Sequence, residues 1–476
     1  MNQRAFADFV ARRLQERVAL LSYLARPYLL VYAGFLAVMV ALSFAIPLIH
    51  SASMTARWPA LGLVALIGAL LPVVSRWRPL TTPHMLLAVF LVLVGSSTLY
   101  AAEKFYTAQR AVSLALLFAA TIVGLFAYCR DWKSVVRMTD LLWCIGSLLV
   151  MVGFIFRAGA GAMGDAGERF EGLHSRATGA GTYAALFLPI AVYQASYRFR
   201  GVWQVFGWCV VLLFIGQAVL SGARAALVIG ILVSLALGFM YDVKRALVAM
   251  VLMAFLSPVP FIMKPDLVDR FKEKGERLMR AQTFSTFTGR LDRWIFGLEQ
   301  WRRKPILGHG FGASRYLAGQ EDPRRFKLEP GEVFNLHSDQ IEVLMDVGVI
   351  GYAPFGLFWA SLLWLGWKTA CSPRSLQRQL ALAYFGALFY AFVDTFMHGG
   401  FLAAGGGVSA FSWSMIALFL AVHPTQKLLP NAPPPSTATE AKPPVITVNR
   451  TPRRAGRLKP AILALPSARN LRRQTD

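Results

Sequence analysis

A single histidine stands among polar residues just before a long apolar run. In the stretch FNLHSDQIEVLMDVGVIGY, His337 is flanked by Asn335, Ser338, Asp339 and Gln340. A histidine side chain gains and loses protons near neutral pH, so it suits a general base. Polar residues of this kind also begin helices, and the positive end of a helix dipole favours the neutral ring. The pattern predicts a basic imidazole at a helix start, with Asn335, Ser338 or Asp339 as the N-cap.

Arginines next to apolar runs form a second set of candidates. The planar guanidinium binds phosphate or diphosphate through two parallel hydrogen bonds, which a lysine ammonium does not do. Arg224 lies in the short connector of LSGARAALV, where an unpaired cation near the membrane surface is costly. Arg290 follows a glycine at a predicted helix start. The other arginines that we predict on the same side of the membrane include Arg157, Arg169, Arg176 and Arg293.

These arginines also have ordinary structural explanations. Arg224 would reach lipid phosphates from a snorkelling position. Arg293 would share a solvated helix face with Asp292 and Glu299. If the arginines instead converge beside His337, they would stabilise a departing diphosphate while the ring takes the proton of an attacking sugar hydroxyl.

The other histidines have weaker sequence contexts. His309, in GHGFG, lies in a Gly-rich loop and could contact a substrate, and His174 and His398 are also expected on the outer side. The Gly-x-Gly-x-Gly pattern of this loop lacks a preceding strand, so it indicates a tight turn rather than a nucleotide site. His337 is the preferred base because it stands where an outer segment rejoins the membrane.

The composition places these residues in an all-α polytopic membrane protein. Hydrophobic residues make up 56% of the 476-residue chain, charged residues only 16%, and the mean hydropathy is +0.50. Apolar runs of about 17 to 25 residues, each long enough to cross a bilayer as a helix, recur along the chain. The twelve predicted spans are 28–48, 58–74, 83–100, 111–129, 139–156, 180–196, 202–220, 224–240, 246–262, 341–366, 378–397 and 407–422.

The net charge of +24 is explained by membrane orientation, without any nucleic-acid partner. Basic residues concentrate in the termini and in alternate connectors, so both termini are predicted to be cytoplasmic. Residues 1–27 form a basic amphipathic segment with no cleavable signal peptide, and 423–476 a Pro-rich, then basic, disordered tail. Spans one to nine occupy 28–262, and spans ten to twelve occupy 341–422.

The segment from 263 to 340 is the one large periplasmic loop, and it is predicted to be helical. PDLVDRFKEKGERLMRAQ has helical periodicity, and TGRLDRWIFGLEQWRRKP follows with Thr288 as the N-cap and Pro305 as the stop. The four cysteines fall in spans or on the inner side, so we expect no disulfide. No metal-binding motif stands in an outer loop, and we expect neither a metal nor a cofactor.

The chain resembles the O-antigen ligases (WaaL type) of the wider superfamily that includes O-antigen polymerases and protein O-oligosaccharyltransferases. The resemblance is carried by LSGARAAL around Arg224, TGRLDRW around Arg290, PILGHGFG at 305–312 and LHSDQIEVLMDVGVIG at 336–351. With the twelve predicted spans and the large loop before span ten, it covers most of residues 28–422. It implies a membrane fold similar to that of the C-type glycosyltransferases.

The resemblance also implies an activity and assigns residues to it. Such enzymes catalyse metal-independent, inverting transfer of a polysaccharide from undecaprenyl diphosphate to a sugar hydroxyl of lipid A-core, on the periplasmic face of the bacterial inner membrane. His337 matches the catalytic base, and Arg224 and Arg290 match the arginines that engage the diphosphate, with Arg176 as a further family arginine. Asp394, in AFVDTFMH, resembles a family carboxylate that would orient a base or pair with an arginine. Apart from the resemblance, Arg293 and His309 are further candidates for supporting roles.

Two alternatives remain open from the sequence. An O-antigen polymerase or a protein O-oligosaccharyltransferase would use the same donor and similar arginines with a different acceptor. A flippase or transporter of lipid-linked saccharide would line a path with these arginines, but such folds often contain internal repeats and mid-membrane charges. The sequence has no clear repeat.

Overall fold

The computed structural model describes residues 27–42, 44, 46–74, 80–159, 173, 177–221, 223–241, 283–321, 334–373 and 375–423. Within these ranges the chain forms helices, turns and connectors, with no β-strand. The predicted ninth span, the helix expected at 265–282, residues 1–26 and the tail from residue 424 lie outside the described residues.

The helices are numbered here in chain order. They are α1 Pro27–Ala41, α2 Pro47–Val74, α3 Thr82–Ser96, α4 Lys104–Tyr128, α5 Trp132–Gly159, α6 Ala177–Tyr193, α7 Val202–Ser221, α8 Arg224–Tyr241, α9 Thr283–Arg303, α10 Ser314–Glu321, α11 Asp339–Cys371, α12 Leu376–Met397 and α13 Gly407–Val422. A π-helical segment, Ala119–Val123, lies within α4, and another, Gln194–Arg198, extends α6.

Seven of the described helices are long and apolar enough to cross a membrane, as expected of a multi-pass membrane protein. They are α2, α3, α4, α5, α7, α11 and α12. The predicted spans other than 246–262 all fall on described helices, while the total of twelve crossings stays a prediction.

Three predicted boundaries are wrong. The span predicted at 28–48 continues beyond the end of α1 at Ala41. The span predicted at 58–74 is part of α2, which begins at Pro47, because a proline fits the first turn of a helix and polar residues can extend a helix beyond its apolar run. In the outer segment, Thr288 is not an N-cap, since α9 already begins at Thr283. The end of α9 at Arg303, just before Pro305, agrees with the prediction.

The centre of the bundle is α6, whose residues from Ala180 to Tyr193 are almost all buried. It contacts α5, α7, α8, α12 and α13. Small residues allow this close packing: Gly181 faces Ala223 and Ser221, and Gly230 lies against Ala185. Because α6 is held from several sides, the residues at its N-terminal end have fixed positions relative to α12 and α13.

Hydrogen bonds group the connectors at two ends of the bundle. At one end, the Tyr100 hydroxyl donates to the Leu307 carbonyl (2.6 Å) after α3, and the Gln217 amide near the end of α7 donates to the Ala180 carbonyl (2.8 Å). At the other end, the Gln377 amide donates to the Val422 carbonyl (3.0 Å). We call the first the site end. The grouping matches the alternation of predicted outer and inner connectors.

A Gly-rich loop is built into a break in α11. At Gly348, with φ of +61°, the helical backbone is interrupted. The loop at 305–310 supplies backbone partners on both sides of the break: the Gly310 N–H donates to the Asp346 carbonyl (2.7 Å), and the Val349 N–H donates to the Pro305 carbonyl (2.9 Å). Loop and helix therefore form one unit.

Three acidic residues on one face of α11 organise its N-terminal half. Asp339, Glu342 and Asp346 are all buried. The Asp346 carboxylate accepts backbone N–H groups of the Gly-rich loop, and Glu342 pairs with Arg110 of α4 (3.2 Å). Asp339 accepts N–H groups from the connector between α12 and α13. Each carboxylate thus fixes a different segment against the start of α11.

Candidate active site

His337 has an uncommon backbone conformation immediately before α11. Its φ is +54°, and it is the only non-glycine among the described residues with a positive φ. Such a conformation costs about 1–3 kcal/mol in general and is often found at functional sites. The Asn335 side-chain oxygen holds it by accepting the His337 backbone N–H at 2.7 Å. Ser338, whose hydroxyl accepts the Ile341 N–H, is the N-cap, which resolves the three candidates of the sequence.

The His337 ring contacts an arginine. Arg293 Nη1 lies 3.0 Å from His337 Nε2 and also donates to the Asn335 carbonyl at 2.9 Å. A guanidinium has no hydrogen-bond acceptor, so Nε2 must carry its lone pair in this contact. The geometry therefore describes a neutral imidazole with its basic nitrogen at Nε2.

A second imidazole connects an arginine to a carboxylate. His398, the C-cap of α12, has Nδ1 2.7 Å from Asp394 Oδ1, and its Nε2 lies 3.4 Å from Arg290 Nη2. Because the arginine can only donate to Nε2, Nδ1 carries the proton and donates to Asp394. Burial lowers the pKa of the Arg290 guanidinium, and the Asp394 charge opposes that shift. A partly desolvated cation of this kind interacts more strongly with an incoming anion.

The two arginines come from one face of α9. Residues 290 and 293 are three positions apart, so their side chains lie on the same side of the helix. A small apolar cluster holds α9 against α11, with Phe296 packed beside Phe334, Leu336 and Met345. The Arg293 guanidinium also stacks over the Phe334 ring at 5.3 Å. The middle of α9 is therefore anchored at Phe296, one helical turn after Arg293.

The first turn of α11, which follows the His337 turn directly, also fixes the connector that begins at His398. The Gln340 amide donates to the Thr395 hydroxyl (2.8 Å), and Asp339 accepts the Gly400 and Phe401 N–H groups at 3.0 to 3.1 Å. A side chain at Gly399 would approach Asn335 Oδ1 to 2.5 Å. The His337 turn and the end of α12 are thus in direct contact.

Residues 209–356 match the O-antigen ligase family model (Wzy_C). This part of the chain is therefore similar to an O-antigen ligase domain. The matched region includes Arg224, Arg290, Arg293 and His337, whereas Asp394 and His398 follow it in sequence. Over these residues the match agrees with the resemblance stated from the motifs. A search of curated proteins finds no match to the chain.

The remaining site residues predicted for the O-antigen ligase domain have varied positions. Arg224 is the first residue of α8, whose N-terminus lies next to Gly181 of α6 at the site end, and nothing is described of its side chain. Arg176 lies outside the described residues. His309 is buried. Its backbone N–H donates to the Met345 carbonyl, and its Nε2 lies 2.9 Å from the Gln300 carbonyl. These contacts hold the Gly-rich loop to α9.

Two residues make more contacts in the candidate site than the sequence indicated. Arg293 was predicted as part of a solvated face, but it contacts His337 directly. His398 was considered only as one more outer histidine. In both cases the sequence spacing indicates that the side chains lie on one side of a helix. Arg293 is one turn from Arg290, and His398 is four residues from Asp394.

Proposed function

We propose that the protein is an inverting glycosyltransferase of lipopolysaccharide assembly. It would transfer O-antigen polysaccharide from undecaprenyl diphosphate to a sugar hydroxyl of lipid A-core, at the periplasmic face of the inner membrane, without a metal or cofactor. The observation that carries the proposal is the meeting of His337 and His398 with two arginines of α9, Arg293 and Arg290, at one end of an apolar helical bundle.

His337 acts as the general base. The sugar hydroxyl approaches Nε2 and replaces the Arg293 contact, while Arg293 stays anchored on the Asn335 carbonyl. As the hydroxyl oxygen attacks the anomeric carbon, its proton passes to Nε2 and the bond from the sugar to the diphosphate breaks. Attack opposite to the leaving group inverts the configuration at that carbon.

Arg290 stabilises the negative charge that develops on the diphosphate. Among the described residues an imidazole rather than a carboxylate contacts this guanidinium, so no direct ion pair within them neutralises its positive charge. Its other N–H groups are available to the phosphate oxygens, a geometry that favours strong charge-assisted hydrogen bonds. Arg224 and Arg176 would contribute to the same diphosphate site.

The test is transfer by purified protein in lipid vesicles that contain the lipid-linked glycan and lipid A-core. His337→Ala should reduce turnover by about 10²-fold or more, the range typical of a lost general base. His50→Ala is the matched control, because His50 is exposed on α2. If His337→Ala elutes as folded protein and still transfers glycan at the wild-type rate, His337 is not the base.

The acceptor is decided by competition in the same vesicles. A ligase should prefer lipid A-core over a second lipid-linked repeat unit and over an acceptor peptide. Preference for the repeat unit would reassign the protein as a polymerase, and preference for the peptide as a protein O-oligosaccharyltransferase. Glycan translocation across the vesicle without any transfer would instead indicate a flippase.

A further inference from the structure

A cavity of about 160 Å³ opens beside the Asp394 and His398 pair. Its walls come from α6, α12 and α13, each of which supplies residues four positions apart, so that one face of each helix lines the space. The lining residues that carry the argument are Thr178, Thr182, Asp394, His398, Phe401 and Ser412. From Thr178 to Leu186 the cavity follows α6 for about 12 Å, at ~1.5 Å per residue.

Several polar groups in this wall have no partner among the residues that the structure describes. Asp394 uses Oδ1 for both His398 and Tyr390, which leaves Oδ2 without a hydrogen bond. The Thr178 and Ser412 hydroxyls have no hydrogen bond within the same part of the chain. A carboxylate oxygen and hydroxyls that face a small space are suited to a ligand that both donates and accepts hydrogen bonds.

The charge of the wall distinguishes among ligands. None of the described lining residues is a lysine or an arginine, and the one full charge is the Asp394 carboxylate. A diphosphate would be repelled by that carboxylate. An acyl chain would leave the carboxylate and the hydroxyls desolvated and without hydrogen-bond partners, which is unfavourable. A neutral polyhydroxylated ring satisfies all of them.

The size of the cavity indicates a single ring. Pockets for drug-sized ligands measure roughly 300–1,000 Å³, so a space of about 160 Å³ holds one sugar unit rather than an oligosaccharide. The cavity adjoins the reacting groups: His398, which lines it, contacts Arg290, and Gly399 adjoins Asn335, which holds the His337 backbone. A ring in the cavity would therefore lie next to both the proposed base and the proposed diphosphate site.

We propose that this cavity binds one neutral sugar ring, with the Asp394 carboxylate and the Thr178 and Ser412 hydroxyls as its hydrogen-bond partners. The proposal rests on the proposed glycosyl transfer and names the subsite that aligns one of the two reacting sugars. The ring is either the first sugar of the donor or the accepting sugar of lipid A-core, since both present the same hydroxyl chemistry.

A filling substitution tests the cavity without disturbing the rest of the fold. A Cβ at Gly179, which lines the cavity, would meet no atom within 4 Å, so Gly179→Leu places a side chain in open space. Gly34→Leu is the matched control, because Gly34 is an exposed helical glycine of α1 with the same open surroundings. We expect Gly179→Leu to raise the apparent KM of one substrate by about tenfold or more, and Gly34→Leu to leave it unchanged.

Titrating donor and acceptor separately identifies the source of the ring. A rise confined to the donor KM assigns the cavity to the first donor sugar, and a rise confined to the acceptor KM assigns it to lipid A-core. Ser412→Ala should move the same KM in the same direction by a smaller factor. Unchanged KM values for both substrates in Gly179→Leu would overturn the subsite while leaving the transfer reaction intact.

A direct measurement of sugar binding tests the cavity independently of glycosyl transfer. Saturation-transfer NMR with glucose and N-acetylglucosamine at roughly millimolar concentrations should show contact with the wild type and with Gly34→Leu, and much less with Gly179→Leu. Equal signals in all three proteins would refute the sugar site even if transfer were never observed. If the wild type transfers no glycan but binds sugar, and Gly179→Leu reduces that binding, the proposed reaction is wrong and the sugar site stands.

Discussion

At the scale of single residues, the site is defined by two imidazoles that each accept a hydrogen bond from an arginine. Arg293 directs one N–H to His337 Nε2, and Arg290 directs one to His398 Nε2. The His398 ring also contacts the Asp394 carboxylate through Nδ1, so it links the Arg290 guanidinium to an anion. This link suits His398 to holding Arg290 in place.

Arg293 should be a positioning residue for the base. Arg293→Ala removes the groups that anchor Nε2 and the Asn335 carbonyl, so we expect turnover to fall by about 10- to 100-fold, the effect of losing one or two charged hydrogen bonds. Arg293→Lys should recover part of the rate. The measurement is kcat in the vesicle assay with saturating donor and acceptor, and Arg302→Ala, at an exposed position of α9, is the control. Full activity of Arg293→Ala would mean that the contact has no role in turnover.

His398 should act through Arg290. Without the imidazole, the guanidinium loses its acceptor, and we expect His398→Ala to raise the donor KM by about tenfold with a smaller change in kcat. His398→Gln, which can still accept a hydrogen bond from Arg290, should restore much of the donor affinity. A similar loss in both variants, accompanied by a lower melting temperature, would indicate a structural role only.

At the scale of elements, some features could be predicted from sequence and others could not. Hydropathy located the long apolar helices well, because a run of apolar side chains is a local property. The break in α11 was not predicted: Gly348 lies in an apolar run that continues without interruption, and the partners that make the break favourable come from residues 305–310. The Gly-rich loop was predicted as a tight turn. In the structure Gly308, Gly310 and Gly312 have positive φ values, and this conformation brings the loop backbone into contact with α11.

The break in α11 should be sensitive to any side chain. A Cβ at Gly348 would collide with the Ile306 backbone, and φ of +61° is unfavourable for alanine. Gly348→Ala is therefore expected to destabilise the folded protein by about 1–3 kcal/mol or more. Gly356→Ala, farther along α11, meets only an ordinary contact with Tyr352 and should be neutral or slightly stabilising. Thermal unfolding of both variants in detergent provides the comparison, and equal melting temperatures would contradict the expectation.

At the scale of the whole molecule, the bundle brings distant segments together at its site end. His337, Arg290 and Asp394 were proposed as one site from their types and from a family resemblance, and the described contacts join them through Asn335 and His398. The link through His398 could not be deduced from sequence, since it depends on how α12 ends beside α9. The orientation of the bundle in the membrane stays a prediction from the basic connectors.

That orientation can be measured by labelling single cysteines. In a variant whose four cysteines are replaced by alanine, Ala102→Cys places a thiol in the exposed connector between α3 and α4 at the site end. Arg200→Cys places one in the exposed connector between α6 and α7 at the other end. A membrane-impermeant maleimide added to cells with a permeabilised outer membrane should label the first thiol only. The reverse pattern would put the proposed active site in the cytoplasm.

The Gly-rich loop supplies backbone partners that a continuous α11 would have found within itself. Exchanging residues 305–314 for a piece of different length or backbone conformation would strand the peptide groups around Gly348 without hydrogen-bond partners. Chimeras made in this region should therefore take the loop and the broken part of α11 from the same parent.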